Sequence, residues 1–136
     1  MPYVIRQDEY ASLWYHPGPK VVHHRIHRFV PAGIFQEILT AGAVILEQDH
    51  ASKWLSDHGD GTAVRNDDLE WARTTWGPRV VGAGLKYWGI VPPRQIIGQM
   101  QMDQIISEAK TLGLAIRTFT NDAAARAWLS GVDRTT

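Results

Sequence analysis

The sequence predicts an α/β fold in which an N-terminal β-hairpin is followed by alternating helices and strands. Three observations indicate this: a Pro-Gly turn separates two β-rich runs, helical and strand patterns alternate after them, and strands joined by single helices favour parallel pairing. The 136 residues, 44% of them hydrophobic, suffice for one domain with a real core. We predict a single domain over residues 1–136, with helices packed on a mixed sheet and a frayed tail at 132–136.

Each element is predicted from its own residue pattern. Residues 12–16 and 21–30 are rich in β-branched and aromatic side chains, and the turn Pro17-Gly18-Pro19-Lys20 joins them as a hairpin. A helix over 33–49 follows, because its apolar residues recur on one face. Later strands are predicted at 53–56, 86–91 and 115–120, with helices between them and a closing helix over 121–129.

Local signals set the helix ends. Asp67-x-x-Glu70 has the pattern of a capping box for the helix after residues 53–56, with Asn66 as an alternative cap. Gly77-Pro78 should kink or split that helix. Gly113 should end the next helix, and Asn121 should cap the last one.

Composition narrows the classes of function. The 14 basic and 14 acidic residues balance, whereas a nucleic-acid binder usually carries a basic excess, so no nucleic-acid partner is expected. The lack of cysteine excludes disulfides and thiolate chemistry. No signal-peptide pattern and no apolar run near the roughly 20 residues of a membrane helix is visible, which predicts no membrane insertion and a cytoplasmic location.

The order of elements, with the final segment L-G-L-A-I-R-T-F-T-N-D-A-A-A-R-A-W-L, resembles the STAS superfamily of SpoIIAA-like anti-sigma-factor antagonists. The stretches L-W-Y-H-P-G-P-K-V-V-H-H-R-I-H-R-F-V, K-W-L-S-D and K-Y-W are similar to an uncharacterised bacterial branch of STAS/SEC14-type proteins. The resemblance covers about residues 10–131. It implies a SpoIIAA-like fold and a regulatory module that acts through protein contacts.

The phosphorylation motif of that family is not matched. Its antagonists present a serine in a D-S-[ST]-G-like motif at the start of the helix after the second core strand, where this chain reads Arg65-Asn66-Asp67-Asp68-Leu69-Glu70. Without a hydroxyl there, the standard phospho-switch is not expected, although Ser56 and Thr62 lie nearby in sequence. Asp67 or Asp68 could imitate a permanent charge, but the preference for acidic residues in a helix's first turn is the favoured explanation.

Histidines cluster in the hairpin region: His16, His23, His24 and His27. On a strand, His24 points away from the face of His23 and His27, and those two lie about 13 Å apart, too far to share one metal ion. We therefore predict local hydrogen bonds for these side chains and no metal site.

The loop 57–61, Asp57-His58-Gly59-Asp60-Gly61, follows the carboxyl end of a parallel strand, where ligand crevices form. A turn with solvated charges is the favoured interpretation over a ligand loop. Asp57 and His58 lack a partner nucleophile, so no catalytic residue and no cofactor is predicted.

The favoured hypothesis is a non-enzymatic binding module with a protein partner, which self-associates as a homodimer. Its contact surface is predicted to comprise Asp57, His58, Asp60, Thr62, Asp67, Asp68, Trp71 and Trp76. The alternative is a carrier or sensor of a small apolar, lipid-like ligand, with a pocket lined by Trp76, Trp88 and Met100 or Met102. A third hypothesis is an enzyme that uses Asp57, His58 or Asp60.

Overall fold

The computed structural model describes residues 2–133 and contains a six-stranded mixed sheet whose strand order equals the chain order. The strands are β1 (Tyr3–Gln7), β2 (Ala11–His16), β3 (Val21–Ile26), β4 (Lys53–Asp57), β5 (Tyr87–Val91) and β6 (Ala115–Thr118). The first three strands pair antiparallel, and β3 to β6 pair parallel. The predicted α/β class, with its N-terminal hairpin and alternating helices and strands, is confirmed.

The helices follow the predicted order. They are α1 (Ile34–Gln48), α2 (Asn66–Trp71), α3 (Gly77–Gly82), α4 (Ile96–Lys110) and α5 (Asp122–Gly131). Asn121 caps α5 as predicted, because its side-chain oxygen accepts the Ala124 N–H at 2.9 Å. Within residues 2–133, no helix is both long enough and apolar enough to cross a membrane.

A π-helical turn, Ala72–Trp76, joins α2 to α3 and ends immediately before Gly77-Pro78. The predicted irregularity therefore lies just before Gly77-Pro78 rather than at it, and the backbone of Trp71, Ala72, Trp76 and Gly77 stays right-handed helical. Thr74 Oγ1 donates to the carbonyl of Glu70 at 2.8 Å inside the turn. Wide turns of this kind occur often at functional sites, and this one packs beside the cavity described below.

The two faces of the sheet have different coverings. The inner face, which carries Val22, His24, Trp54, Trp88 and Ile90, belongs to the main core with α1, the π turn, α3 and α4. The α5 face, which carries Val21, Leu55 and Val91, packs against Ala125 and Leu129 of α5 in a second, smaller cluster. Because side chains alternate along a strand, consecutive residues of β3 and β4 enter different environments.

Three sequence predictions need correction. Strand β1 was not expected, and it rather than the predicted hairpin forms the edge next to β2. Strand β3 ends at Ile26, so residues 27–30 are not part of it. The capping box is wrong: α2 begins at Asn66 with Arg65 at the N-cap position and no side-chain cap, so Asn66 and Asp67 already lie inside the first turn. The Asp67 carboxylate accepts the Arg65 guanidinium at 3.1 and 2.9 Å.

The predicted frayed tail falls mostly outside the described residues, since 134–136 lie beyond them. Of its first residues, Asp133 forms an ion pair with the buried Lys53 at 2.8 Å. That contact ties the end of the described chain to the first residue of β4.

Candidate functional site

A cavity of about 490 Å³ lies between the inner face of the sheet and helices α1 to α4. Its walls are mainly apolar and include Phe35, Leu39, Trp76, Trp88, Met102 and Ile105. The volume falls within the range of roughly 300–1,000 Å³ that is usual for small-molecule sites. The predicted lining of Trp76, Trp88 and Met102 is confirmed, whereas the alternative Met100 is 66% exposed and does not line the cavity.

A buried chain of hydrogen bonds reaches this cavity. The Trp54 indole N–H donates to His24 Nδ1 at 2.9 Å, and the two Nε2 atoms of His24 and His58 lie 2.9 Å apart. Burial lowers the pKa of His24 well below its ordinary value and the pKa of His58 to about 4. Both rings are therefore neutral at pH 7.

The hydrogen bonds fix the tautomer of each ring. Because His24 Nδ1 accepts from Trp54, its proton sits on Nε2 and is donated to His58 Nε2. The proton of His58 is consequently on Nδ1. That atom is buried and has no hydrogen-bond partner in the described part of the chain.

A second donor lies in the lining. Ser56 Oγ accepts the Trp88 indole N–H at 2.9 Å, and no residue among 2–133 accepts its own hydroxyl proton. The Trp76 indole, by contrast, is satisfied by the carbonyl of Leu39 at 2.9 Å. Two lining residues thus carry a donor that no residue among 2–133 accepts: Ser56 through its hydroxyl, and His58 through Nδ1–H, which is itself buried.

One edge of the cavity carries charge. Arg73 and Glu108 belong to the lining, their side chains are 49% and 42% exposed, and they lie 3.8 Å apart. Arg73 also forms an ion pair with Glu70 at 2.5 Å. This partly exposed edge, between the π turn and the end of α4, is where a ligand could enter.

The structure separates the residues of the predicted contact surface. His58, Thr62 and Trp76 line the cavity, and Asp57 and Asp60 line a cleft on another side of the molecule. The other three are an exposed Asp67, a half-buried Trp71 and a buried Asp68, whose carboxylate accepts the Gln36 amide at 3.1 Å. For the enzyme hypothesis this means that His58 lines the cavity, whereas Asp57 and Asp60 line the cleft.

The cleft measures about 630 Å³ and lies at the carboxyl ends of β3 to β6. Arg25 donates to the Asp60 carboxylate there, and its Nε lies 3.8 Å from Asp57 Oδ2. Burial raises the pKa of Asp57, against the hydrogen bond that its Oδ1 accepts from the Gly59 N–H at 3.0 Å. The cleft is charged where the cavity is apolar.

The four histidines of the hairpin region do not form one cluster. His16 Nε2 and His23 Nδ1 lie 3.1 Å apart on the α5 face, while His24 belongs to the inner face. His27 Nε2 lies 2.9 Å from Ser12 Oγ. The predicted opposite orientation of His23 and His24 is confirmed, but His24 and Ser56 were not recognised as cavity residues. Strand alternation was the available signal for His24.

Comparisons of the chain with family models, with curated proteins and with solved structures give no match. The resemblance to the STAS superfamily accordingly stays a prediction.

Proposed function

We propose that this domain binds a small, mainly apolar molecule in the cavity under the inner face and acts as a carrier or sensor of it. One observation carries the proposal: an apolar cavity of about 490 Å³ contains a buried His58 whose Nδ1–H has no partner. A buried donor left without an acceptor costs about 1–3 kcal/mol. A ligand that fills the cavity and accepts this proton removes that cost.

The hydrogen-bonding groups indicate what the ligand carries. The free groups, on His58 and Ser56, are donors, so the ligand must accept at that end. Both histidines are neutral at pH 7, and a buried carboxylate would have no compensating charge beside them. Among residues 2–133, the one guanidinium of the lining is that of Arg73, which is paired with Glu70. A neutral acceptor such as a ketone or ester carbonyl fits best.

The proposal can be tested with Nile red, a neutral apolar fluorophore that carries a carbonyl group. Titration should show saturable binding of one dye per chain, with quenching of tryptophan emission because Trp76 and Trp88 line the cavity. Ala109→Phe, which places a ring in the lining, should weaken binding more than about tenfold. Ala127→Phe, on the exposed side of α5, is the matched control and should bind like the wild type.

A variant of the donor refines the test. His58→Leu should weaken dye binding by about 5- to 10-fold while the stoichiometry stays at one, because one charge-neutral hydrogen bond is worth about 1 kcal/mol. Equal dye affinity in the wild type and in Ala109→Phe would show that the dye binds elsewhere and would overturn the proposal. Circular dichroism should show that each variant is folded.

Other predictions from the sequence stay predictions: a STAS-type regulatory role, a protein partner, self-association as a homodimer and a cytoplasmic location. The structure places Asp60, Thr62, Asp67 and Trp71 at least partly in contact with solvent, so these four remain available to a protein partner. Binding of an apolar ligand is compatible with such a contact, since Trp71 packs against the core that includes Trp76.

A further inference from the structure

Three side chains on the α5 face converge although they come from distant parts of the chain. They are His23 of β3, Asp57 at the end of β4 and Asp122 at the start of α5. One ring nitrogen of His23 and one carboxylate oxygen of each aspartate lie within 4.8 Å of one another. Ligand atoms this close can share a single ion after small side-chain adjustments.

The hydrogen bond to His16 decides which nitrogen of His23 is free. Nδ1 lies 3.1 Å from His16 Nε2, and the two rings stack with their centroids 5.3 Å apart. Nε2 is buried and has no partner within residues 2–133, and the residue as a whole is only 4% exposed. A histidine held through one nitrogen by a neighbour, with the other nitrogen free, is the usual arrangement of a metal ligand.

The charges around the cluster also favour a cation. Three carboxylates, of Asp57, Asp60 and Asp122, lie near three guanidinium groups, of Arg25, Arg94 and Arg126. Arg25 pairs with Asp60, and Arg126 lies 3.7 Å from Asp122 and is 49% exposed. The buried Asp57 carboxylate is nonetheless repelled by those of Asp122 and Asp60, which helps to raise its pKa. A divalent ion bound between Asp57 and Asp122 would remove that repulsion.

We propose that His23, Asp57 and Asp122 bind a divalent first-row transition-metal ion beside the cleft. One imidazole nitrogen with two carboxylate oxygens suits ions such as Zn²⁺ or Co²⁺, whereas Mg²⁺ and Ca²⁺ prefer oxygen ligands alone. Three protein ligands leave coordination positions open, as in catalytic rather than structural zinc sites. Asp57 and Asp122 line the cleft, so these positions can be reached from it.

This site is independent of the proposed ligand cavity. The cavity lies on the inner face, and none of His23, Asp57 and Asp122 lines it. A failure of Nile red to bind would leave the metal site untouched, and a failure to bind metal would leave the cavity untouched.

The test is calorimetric titration of EDTA-stripped, dialysed protein with ZnCl₂, and separately with MgCl₂. The wild type should bind one Zn²⁺ per chain, and it should bind Mg²⁺ at least about tenfold less tightly. Asp122→Asn should weaken Zn²⁺ binding by more than about tenfold, since even changes to residues that only support a ligand cost that much. Asp103→Asn, which alters an exposed carboxylate of α4 outside the cluster and the cleft, should stay within about threefold of the wild type.

Co²⁺ gives a second readout that reports the ligands themselves. Its visible d–d absorption should appear with the wild type and with Asp103→Asn and should be lost or altered in Asp122→Asn. Because Asp122 is only half-buried, Asp122→Asn is expected to fold, which circular dichroism can verify. Zn²⁺ binding equal in the wild type and Asp122→Asn, or no Zn²⁺ binding at all, would overturn the proposal.

Discussion

His23 and His24 are neighbours in β3, yet they lie on opposite faces of the sheet and in opposite chemistry. His24 lies in the middle of a chain of hydrogen bonds between neutral groups, which runs from Trp54 through His24 to His58 in the wall of an apolar cavity. The side chain of His23 lies close to the carboxylates of Asp57 and Asp122, which line an open cleft. Burial lowers the pKa of both rings, that of His23 to about 3.

The comparison shows that burial alone does not assign a role to a histidine. Both rings are neutral at pH 7, and both have one nitrogen engaged by a neighbouring ring. What differs is the second nitrogen. In His24 it accepts from the Trp54 indole, whereas in His23 it has no partner within residues 2–133, and a nitrogen of that ring lies within 4.8 Å of carboxylate oxygens of Asp57 and Asp122. The partners, set by the neighbouring elements, decide between a hydrogen-bond relay and a cation ligand.

The largest expected difference between the faces concerns their tryptophans. Trp54→Ala should lower the free energy of unfolding by about 3–5 kcal/mol, because a fully buried ring leaves a cavity and His24 loses its donor. Trp128→Ala, on the half-buried ring of the α5 face, should cost less than half as much. Urea unfolding followed by circular dichroism measures both. Similar losses would show that the two faces contribute equally to stability.

Acid should destabilise the protein because His58, on the inner face, is protonated more readily in the unfolded chain. The ordinary pKa of histidine is about 6.5, and burial lowers that of His58 to about 4. The unfolded chain therefore binds protons first, so stability is full above pH 6.5 and falls as the pH drops towards 4. Protonation of His58 alone should lower the free energy of unfolding by about 3 kcal/mol between pH 6.5 and pH 4.

The measurement compares urea unfolding at pH 7.5 and pH 4.5, in EDTA, for the wild type and His58→Leu. The loss between the two pH values should be smaller in the variant by about 2 kcal/mol. His23 on the other face contributes to the loss in both proteins, so the difference isolates the inner face. An equal loss of stability in His58→Leu would show that protonation of His58 does not destabilise the protein in acid.

Substitution of two glycines by alanine should give the smallest difference in stability between the two faces. A Cβ at Gly42 would overlap the rigid Trp54 ring, so Gly42→Ala should cost about 1–3 kcal/mol. A Cβ at Gly89 would lie 3.2 Å from Cδ1 of the flexible Leu129, so Gly89→Ala should stay within about 1 kcal/mol of the wild type. Thermal unfolding of the two variants should rank them in this order, and the reverse order would mean that α5 packs more tightly than α1.

Much of the fold could be predicted because its signals are local. Apolar spacing indicated α1 and α4, and Asn121 indicated the start of α5. Strand β1 was missed because Tyr3, Val4 and Ile5 are all exposed, which leaves no alternation of buried and exposed side chains to detect. The capping box was wrong because α2 begins before Asp67, and the spacing of Asp67 and Glu70 alone could not fix that start.

The two proposed sites also differ in how far the sequence could predict them. Trp76, Trp88 and Met102 could be predicted to line a pocket because large apolar residues of a core share one space. Asp122 could not be joined to His23, because its position in the first turn of a helix already explains an acidic residue. Only the packing of α5 on the sheet brings the three ligands of the proposed metal site together.

The π turn between α2 and α3 has a consequence for evolution. A turn with i→i+5 hydrogen bonds holds about one residue more than an α-helical turn, so deletion of a single residue here lets the segment close as α-helix and leaves Val80 facing the core. Insertion of a residue, or deletion of two, cannot be absorbed in this way and would rotate α3 by about 100° about its own axis, which would carry Val80 out of the core. In homologues that keep the cavity, natural selection should therefore tolerate the loss of one residue in this segment and reject other changes in its length.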